Sequence, residues 1–184
     1  MSQAKPMSVI DLFVLGLLHA EPMNAYGLAN AVEERGLDRL VKVSKPAIYK
    51  SCRRLAAAGY LTGKRVRETE APEKVVYTVS KAGSGYFREL MLHFSERISP
   101  FHFEFNTFIW NLHRLEHAEA MRMLRRLQSE LGALQAWLLA HEREQRGADF
   151  GARVVVKQYR MVITALVQWM KETIEEFQHA PRGR

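Results

Sequence analysis

Residues 43–61 read VSKPAIYKSCRRLAAAGYL, and this stretch decides the fold. Ser44 is placed to cap a helix that Gly59 would end. Apolar residues recur with the spacing of one helical face at Ile48, Cys52 and Leu55, which predicts that this face is buried. The other face carries cations and a tyrosine, namely Lys45, Tyr49, Lys50, Arg53 and Arg54. We therefore predict a helix that packs on a core and presents positive charge outward.

The neighbouring sequence places this helix third in a familiar order of elements. Apolar periodicity and capping residues predict helices over 8–20 and 24–35 before it, strands over 60–67 and 73–79 after it, and a fourth helix over 80–97. Three helices followed by a β-hairpin are typical of a winged helix-turn-helix domain, which we place at 5–97. Such a domain inserts its third helix into the major groove of DNA.

The remainder of the chain is predicted to be helical, with a second domain at 101–178. Apolar residues in two long helices follow a heptad rhythm: Leu124, Leu127, Leu131, Leu134 and Leu138 in one, and Val156, Tyr159, Ile163, Leu166 and Met170 in the other. This spacing indicates helices that pack lengthwise against each other or against a second copy of the chain. We interpret these residues as a dimerisation seam, and an intramolecular hairpin is the alternative. The expected fold class is mainly α, with a two-stranded wing and a coiled-coil-like C-terminal domain.

The positive charge is concentrated around the third helix. The chain carries 27 Lys and Arg against 20 Asp and Glu, a net charge of +7. Residues 39–67 contain nine basic side chains, Arg39 and Lys42 among them, and no acidic one. Phosphate backbones are the usual partner of such a field, and a solvated basic face is the alternative. The overlap of this tract with the helix and the first strand favours nucleic-acid binding.

Several classes of protein fit the sequence poorly. No apolar run approaches the roughly 20 residues of a membrane span, and no secretory leader is recognisable, so we expect a cytoplasmic protein without membrane partners. The single cysteine, Cys52, excludes an internal disulfide. His113 and His117 stand four residues apart, but no further ligands complete a metal site. No catalytic motif is found, and we expect neither enzymatic activity nor a cofactor.

Three segments together resemble the PadR family of bacterial transcriptional regulators. They are VLGLLHAEPMNAYGLANAVEERG at 14–36, VSKPAIYKSCRRLAAAGYL at 43–61 and VVYTVSKAGSGYF at 75–87. The resemblance implies a homodimeric repressor that occupies a two-fold symmetric operator in double-stranded DNA. It also implies that Tyr26 lies near phosphate, that Ser44 opens the recognition helix and that Tyr49 lies on it.

We expect Ser44, Lys45, Tyr49 and Lys50 to face DNA, and Arg53 and Arg54 to contact phosphates. In the wing, the candidates for phosphate contacts are Lys64, Arg65, Arg67 and Lys74. Three alternatives stay open: a nucleic-acid-binding module without sequence preference, a protein-interaction module, and a regulator of the MarR-like type. A comparison of specific and nonspecific duplexes across a salt series would separate the first from a true regulator.

An aromatic set in the C-terminal half admits two interpretations. It comprises Phe101, Phe103, Phe105, Phe108, Trp110, Trp137, Tyr159 and Trp169. These side chains could line a pocket for a small aromatic effector, since some PadR-like regulators respond to phenolic compounds or drugs. Aromatic side chains also commonly fill cores. The sequence assigns no ligand.

Overall fold

The computed structural model describes residues 7–34, 36, 43–67, 74–96, 98 and 102–179, apart from the side chain of Arg146. Arg39, Lys42 and Phe101 therefore lie outside the described residues. The chain divides into two compact units, residues 1–100 and 101–184. In the described part of the chain, no helix combines the length and the apolar character needed to cross a bilayer.

Side-chain caps begin the first two helices of the first unit. Helix α1 (Val9–Ala20) begins after Ser8, whose side chain accepts a hydrogen bond from the Asp11 amide. Asn24 does the same for the Gly27 amide at the start of α2 (Ala25–Glu34), at 2.7 Å. Helix α3 (Lys45–Ala57) has Pro46 in its first turn and is followed by Gly59 at a φ of 75°. A left-handed residue is the common end of a helix, so the predicted bounds of α3 are confirmed.

The three helices share one core. Its fully buried side chains come from every helix and include Val14 and Leu15, Leu28 and Ala29, and Ile48, Cys52 and Leu55. The periodicity of α3 therefore identified its inward face correctly. Cys52 is a packing residue with no exposed surface.

A small antiparallel sheet adjoins these helices. Strands β2 (Leu61–Val66) and β3 (Lys74–Val79) form the predicted hairpin. A two-residue strand, β1 (Met23–Asn24), pairs with β3 through Met23 and Tyr77, so the order is β1-β3-β2. The sheet therefore has one strand more than the two predicted, because two residues are too few to show an alternating pattern.

Helix α4 (Lys81–Ser95) follows β3 directly, with the Ser80 side chain accepting from the Gly83 amide at 3.0 Å. Tyr86 and Leu90 point from α4 into the shared core. Tyr86 also stacks on Tyr60, with 4.4 Å between ring centroids. The fourth helix thus fixes the root of the wing to the core.

The second unit is dominated by a helical hairpin. After the short α5 (Phe105–Trp110) come α6 (His117–Glu144) and α7 (Phe150–His179). The two long helices are antiparallel, because Glu142 pairs with Arg160 near the turn while His117 stacks on Phe177 at the far end. Asp149 accepts a hydrogen bond from the Ala152 amide and so caps the start of α7.

The heptad residues lie mostly inside this hairpin. The buried ones are Leu124, Leu131, Leu138, Val156, Ile163 and Met170, all covered by the same chain. Leu127, Tyr159 and Leu166 are half-buried, and the Leu134 residue is 37% exposed. The intramolecular alternative thus accounts for six of the ten residues, and a second copy could reach chiefly the other four.

Candidate nucleic-acid interface

The outer face of α3 carries four of the predicted contact residues. Lys45, Tyr49, Lys50 and Arg53 are exposed on it, while Ile48, Ser51 and Cys52 are buried on the opposite face. A hollow of about 400 Å³ is lined by Lys45, Pro46, Tyr49, Lys50 and Arg53. Ser44 is exposed before the helix and makes no side-chain capping bond.

A second cleft joins this face to two other elements. It has a volume of about 430 Å³ and is lined by Asn24, Ala25, Tyr26, Tyr49, Arg53, Lys74, Val75 and Tyr77. Tyr26 is 64% exposed beside the amino end of α2, where backbone amides favour an anion. Four predicted contact residues from α2, α3 and β3 therefore line one cleft, namely the cations Arg53 and Lys74 and the phenols Tyr26 and Tyr49. Tyr77 adds a third phenol.

The wing contributes cations at a separate position. Lys64, Arg65 and Arg67 are exposed on and just after β2, and none of them lines either cleft. Lys64 and Arg65 stand opposite Val76 and Val75 of β3. Of the four cations predicted for the wing, only Lys74 lines the cleft that it shares with residues of α3.

Carboxylates neutralise two of the cations of α3. The Lys45 Nζ lies 2.9 Å from the Glu33 Oε1 at the end of α2. This hydrogen bond is the main reason why the pKa of Lys45 is raised above its usual value of 10.5. Among the described residues, no carboxylate lies within ion-pairing distance of Lys50 or Arg53. Those two cations are therefore the ones most available to a polyanion.

Arg54 has a different environment from its neighbour Arg53. Its Nη2 donates to the Oδ1 of Asp11, a residue of α1 that is only 1% exposed. The Ser51 hydroxyl donates to the same oxygen at 2.6 Å. A buried carboxylate requires such partners, because the charge is costly without them. Arg54 thus ties α3 to α1, and sequence reasoning missed Asp11 because it lies 43 residues away.

The thiol of Cys52 lies on the buried face of α3 and is unreactive. Its thiol is fully buried, and burial raises its pKa to about 11. The thiolate is the reactive form of cysteine, so this residue is inert in the folded protein.

The described members of the aromatic set take part in several separate contacts. Phe103 stacks on Phe105, and Phe105 on Trp169, while Trp137 stacks on His141. A shallow groove of about 290 Å³ is lined by Phe105, Phe108, Met123, Arg126, Leu127 and Glu130. Trp110 is 82% exposed. Within the part of the chain that is described, no group of three or more His, Cys, Asp or Glu side chains is arranged to hold a metal.

Comparisons with known proteins agree with this architecture. Residues 14–89 match the Transcriptional regulator PadR-like family. Bacillus subtilis PadR in complex with operator DNA is similar with a TM-score of 0.82 and 19% identity, over 94% of this chain and 99% of that chain. The same protein in complex with p-coumaric acid gives 0.75 and 17%, over 97% and 100%.

A third solved structure is that of the Vibrio cholerae virulence activator AphA. It is similar with a TM-score of 0.71 and 17% identity, over 92% of this chain and 98% of that chain. At these identities the likeness concerns the fold. No curated protein matches the chain in a sequence comparison. The predicted resemblance to the PadR family and the predicted fold class are both confirmed.

Proposed function

Residues 14–89 of this chain are a PadR-like domain of a transcriptional regulator, and from this premise we propose that the protein binds operator DNA as a sequence-specific homodimer. The observation that carries the proposal is the joint surface of α2, α3 and β3. Tyr26, Tyr49, Arg53 and Lys74 line one cleft there, beside an exposed Lys50. Phenols and cations arranged in this way suit a phosphate backbone that runs past a helix in the major groove.

The roles within this surface follow from position and charge. Lys50 and Tyr49 lie on the exposed middle of α3 and face the base edges. Arg53, Lys74 and Tyr26 contact the flanking phosphates, as do Lys64, Arg65 and Arg67 from the wing. Arg54 holds α3 in place through Asp11, and its contact with phosphate stays a prediction. Phosphate contacts fix the register of the protein, and base contacts select the sequence.

Dimerisation supplies the affinity that a single small module lacks. Leu134 is the most exposed of the heptad residues, and Met161 of α7 is 58% exposed. These side chains support a contact between hairpins of two copies. A two-fold symmetric dimer would then place its recognition helices in successive major grooves, about 34 Å apart.

The regulatory output is repression by occupancy, because a dimer bound across a promoter obstructs polymerase. No catalytic step is needed for that action. In-vitro transcription from a promoter that contains the bound sequence should fall as protein is added. A rise would instead indicate activation, the activity that the name of the Vibrio cholerae relative describes for that protein.

A small planar aromatic effector would relieve this repression. Support comes from the groove of about 290 Å³ whose apolar residues Phe105, Phe108, Met123 and Leu127 lie beside Arg126 and Glu130. Its volume is near the lower limit for small-molecule sites, about 300 Å³. The similar Bacillus subtilis protein has been solved with p-coumaric acid. An effector shifts DNA affinity only by its differential affinity for the two states of the protein. A shift assay over a panel of aromatic acids and phenols, with no responder, would exclude this part.

The central experiment measures binding by fluorescence anisotropy to a duplex selected from a randomised library and to a scrambled duplex of equal length. The double variant Lys50→Ala, Arg53→Ala should lose nearly all binding to the selected duplex and remain a dimer. The matched control Lys81→Ala, Arg88→Ala removes the same charge from exposed positions of α4 and should bind normally. Equal affinity of the wild type for both duplexes would instead support a module without sequence preference. Intact binding by the first variant would contradict the assigned surface.

A further inference from the structure

The first residue of the recognition helix is paired with an acid from the helix before it. Lys45 opens α3, and Glu33 is the penultimate residue of α2. The pair has a Nζ to Oε1 distance of 2.9 Å, and its side chains are 49% and 52% exposed. Residues 39–67 contain no acidic side chain. The fold therefore brings the Glu33 carboxylate from α2 to the amino end of α3.

This pair does little for folding. Ion pairs that are this exposed contribute little stability, since solvent screens them and ordering two long side chains costs entropy. The position of the pair is the informative feature. The amino end of a recognition helix is the part that approaches base edges, and a carboxylate at that place is repelled by DNA phosphates unless a cation accompanies it.

We propose that Glu33 is a specificity-determining residue, which withholds Lys45 from nonspecific phosphate contacts and keeps it available for a base edge. This inference rests on the proposed function of the α3 surface. Nonspecific binding derives almost entirely from cations that neutralise phosphates. A lysine that is already paired with an acid does not neutralise a phosphate and adds nothing to nonspecific binding. The scrambled duplex is therefore bound with one favourable phosphate contact fewer than if Lys45 were unpaired.

The same pair is compatible with sequence reading. A lysine ammonium has three donor hydrogens. One of them serves Glu33, which leaves two for the O6 and N7 acceptors of a guanine. Lys45 therefore need not leave Glu33 when it meets the correct base. The pair is nearly neutral toward phosphate and still a donor toward guanine.

A double-mutant cycle of Glu33→Gln and Lys45→Gln tests this on the full-length protein, with the selected and the scrambled duplex over a NaCl series. Glu33→Gln should bind the scrambled duplex several-fold more tightly, and its plot of log K against log[salt] should steepen by about 0.9. Lys45→Gln should weaken binding to the scrambled duplex, because Glu33 is left without its counter-ion. The double variant should return close to the wild type on the scrambled duplex.

The selected duplex provides the second readout. Glu33→Gln should gain less affinity there, so the ratio of specific to nonspecific affinity should fall several-fold. The double variant should stay weak on the selected duplex, because it lacks the lysine donor. The matched control is Glu34→Gln, which removes the same charge from the adjacent exposed position of α2 without touching Lys45. Its effect on the scrambled duplex should be clearly smaller.

Three results would overturn this inference alone. Glu33→Gln and Glu34→Gln could change scrambled-duplex binding equally, which would reduce the effect to net charge. The double variant could match Lys45→Gln on the scrambled duplex, which would show that the pair does not persist on DNA. Glu33→Gln could also leave binding unchanged while the wild type selects its duplex, so that this inference fails and the proposed function stands. A wild type that binds neither duplex at low salt would overturn both this inference and the proposed function.

Melting temperatures of all four variants provide the folding control. If they are unchanged, a loss of folding is not the cause of the altered binding.

Discussion

At the scale of single residues, Gly83 shows how closely the wing root and α4 approach each other. A Cβ added there would lie 2.0 Å from the backbone oxygen of Tyr60, whereas one added at Gly85 meets nothing within 4 Å. The Tyr60 oxygen cannot easily retreat, because it accepts from the Ser80 amide at 3.0 Å. The absence of a side chain at residue 83 is therefore a condition of the fold.

Gly83→Ala should lower the free energy of unfolding by about 3 kcal/mol, since the clash involves backbone rather than a flexible side chain. Gly85→Ala is the matched control on the same helix. It should leave stability unchanged or raise it by up to about 1 kcal/mol, because alanine favours helix. Urea denaturation of both variants measures the difference. Equal midpoints would show that the close approach is absent in solution.

The buried thiol of Cys52 makes stability depend on pH in the alkaline range. Burial raises its pKa from 9.0 to about 11, so above pH 9 the unfolded chain loses a proton that the folded protein retains. The contribution of the Cys52 thiol to the free energy of unfolding is fully present below pH 9. It is lost as the pH rises toward 11, which lowers the free energy of unfolding by about 2–3 kcal/mol in total. Cys52→Ala should lack this component. The test compares unfolding free energies of the two proteins from pH 8 to 11, and parallel curves would contradict it.

Sequence periodicity succeeded at residues whose role depends on near neighbours. Ile48, Cys52 and Leu55 are buried as their spacing predicts. Periodicity did not predict the ion pairs of Glu33 and Asp11, because their basic partners lie on another helix and no local spacing reveals such pairs. The sequence predicted the positive charge of residues 39–67. Only the tertiary structure shows that the cations Lys45 and Arg54 are paired with carboxylates.

At the scale of elements, the α6–α7 hairpin separates two kinds of leucine. Leu138 is fully buried within the hairpin, and the Leu134 residue, one turn earlier, is 37% exposed. A heptad pattern describes the spacing of apolar residues but not which helix covers them. That is why the sequence predicted the seam and left its partner open.

Leu138→Ala should lower the free energy of unfolding by about 2–5 kcal/mol, because it leaves a cavity in the hairpin. Leu134→Ala should lower the stability measured at high protein concentration much less than Leu138→Ala does. It should instead raise the dissociation constant of the proposed dimer. Denaturation reports the first effect and sedimentation over a concentration series reports the second. If Leu134→Ala leaves the dissociation constant unchanged, the dimer contact lies elsewhere.

At the scale of the whole molecule, the proposed dimer imposes a geometry on its DNA. Two recognition helices related by two-fold symmetry should read half-sites whose centres lie about 10–10.5 base pairs apart, or a multiple of that. An insertion of about 5 base pairs between the half-sites rotates one of them to the opposite side of the duplex. It should abolish tight binding, and footprinting of the original and altered sites checks this. Retained affinity would indicate that each copy binds independently.

The order of strands has a consequence for how this protein tolerates engineering. Strand β3 is the central strand, so β1 and β2 are both edges of the sheet, and the six-residue β2 is the longer edge. Lys64 and Arg65 project from that strand, and Arg67 follows it. Charged side chains on an open edge discourage another sheet from docking there. Besides their proposed contacts with DNA, these cations should therefore keep the protein soluble, and their removal should favour aggregation through the β2 edge.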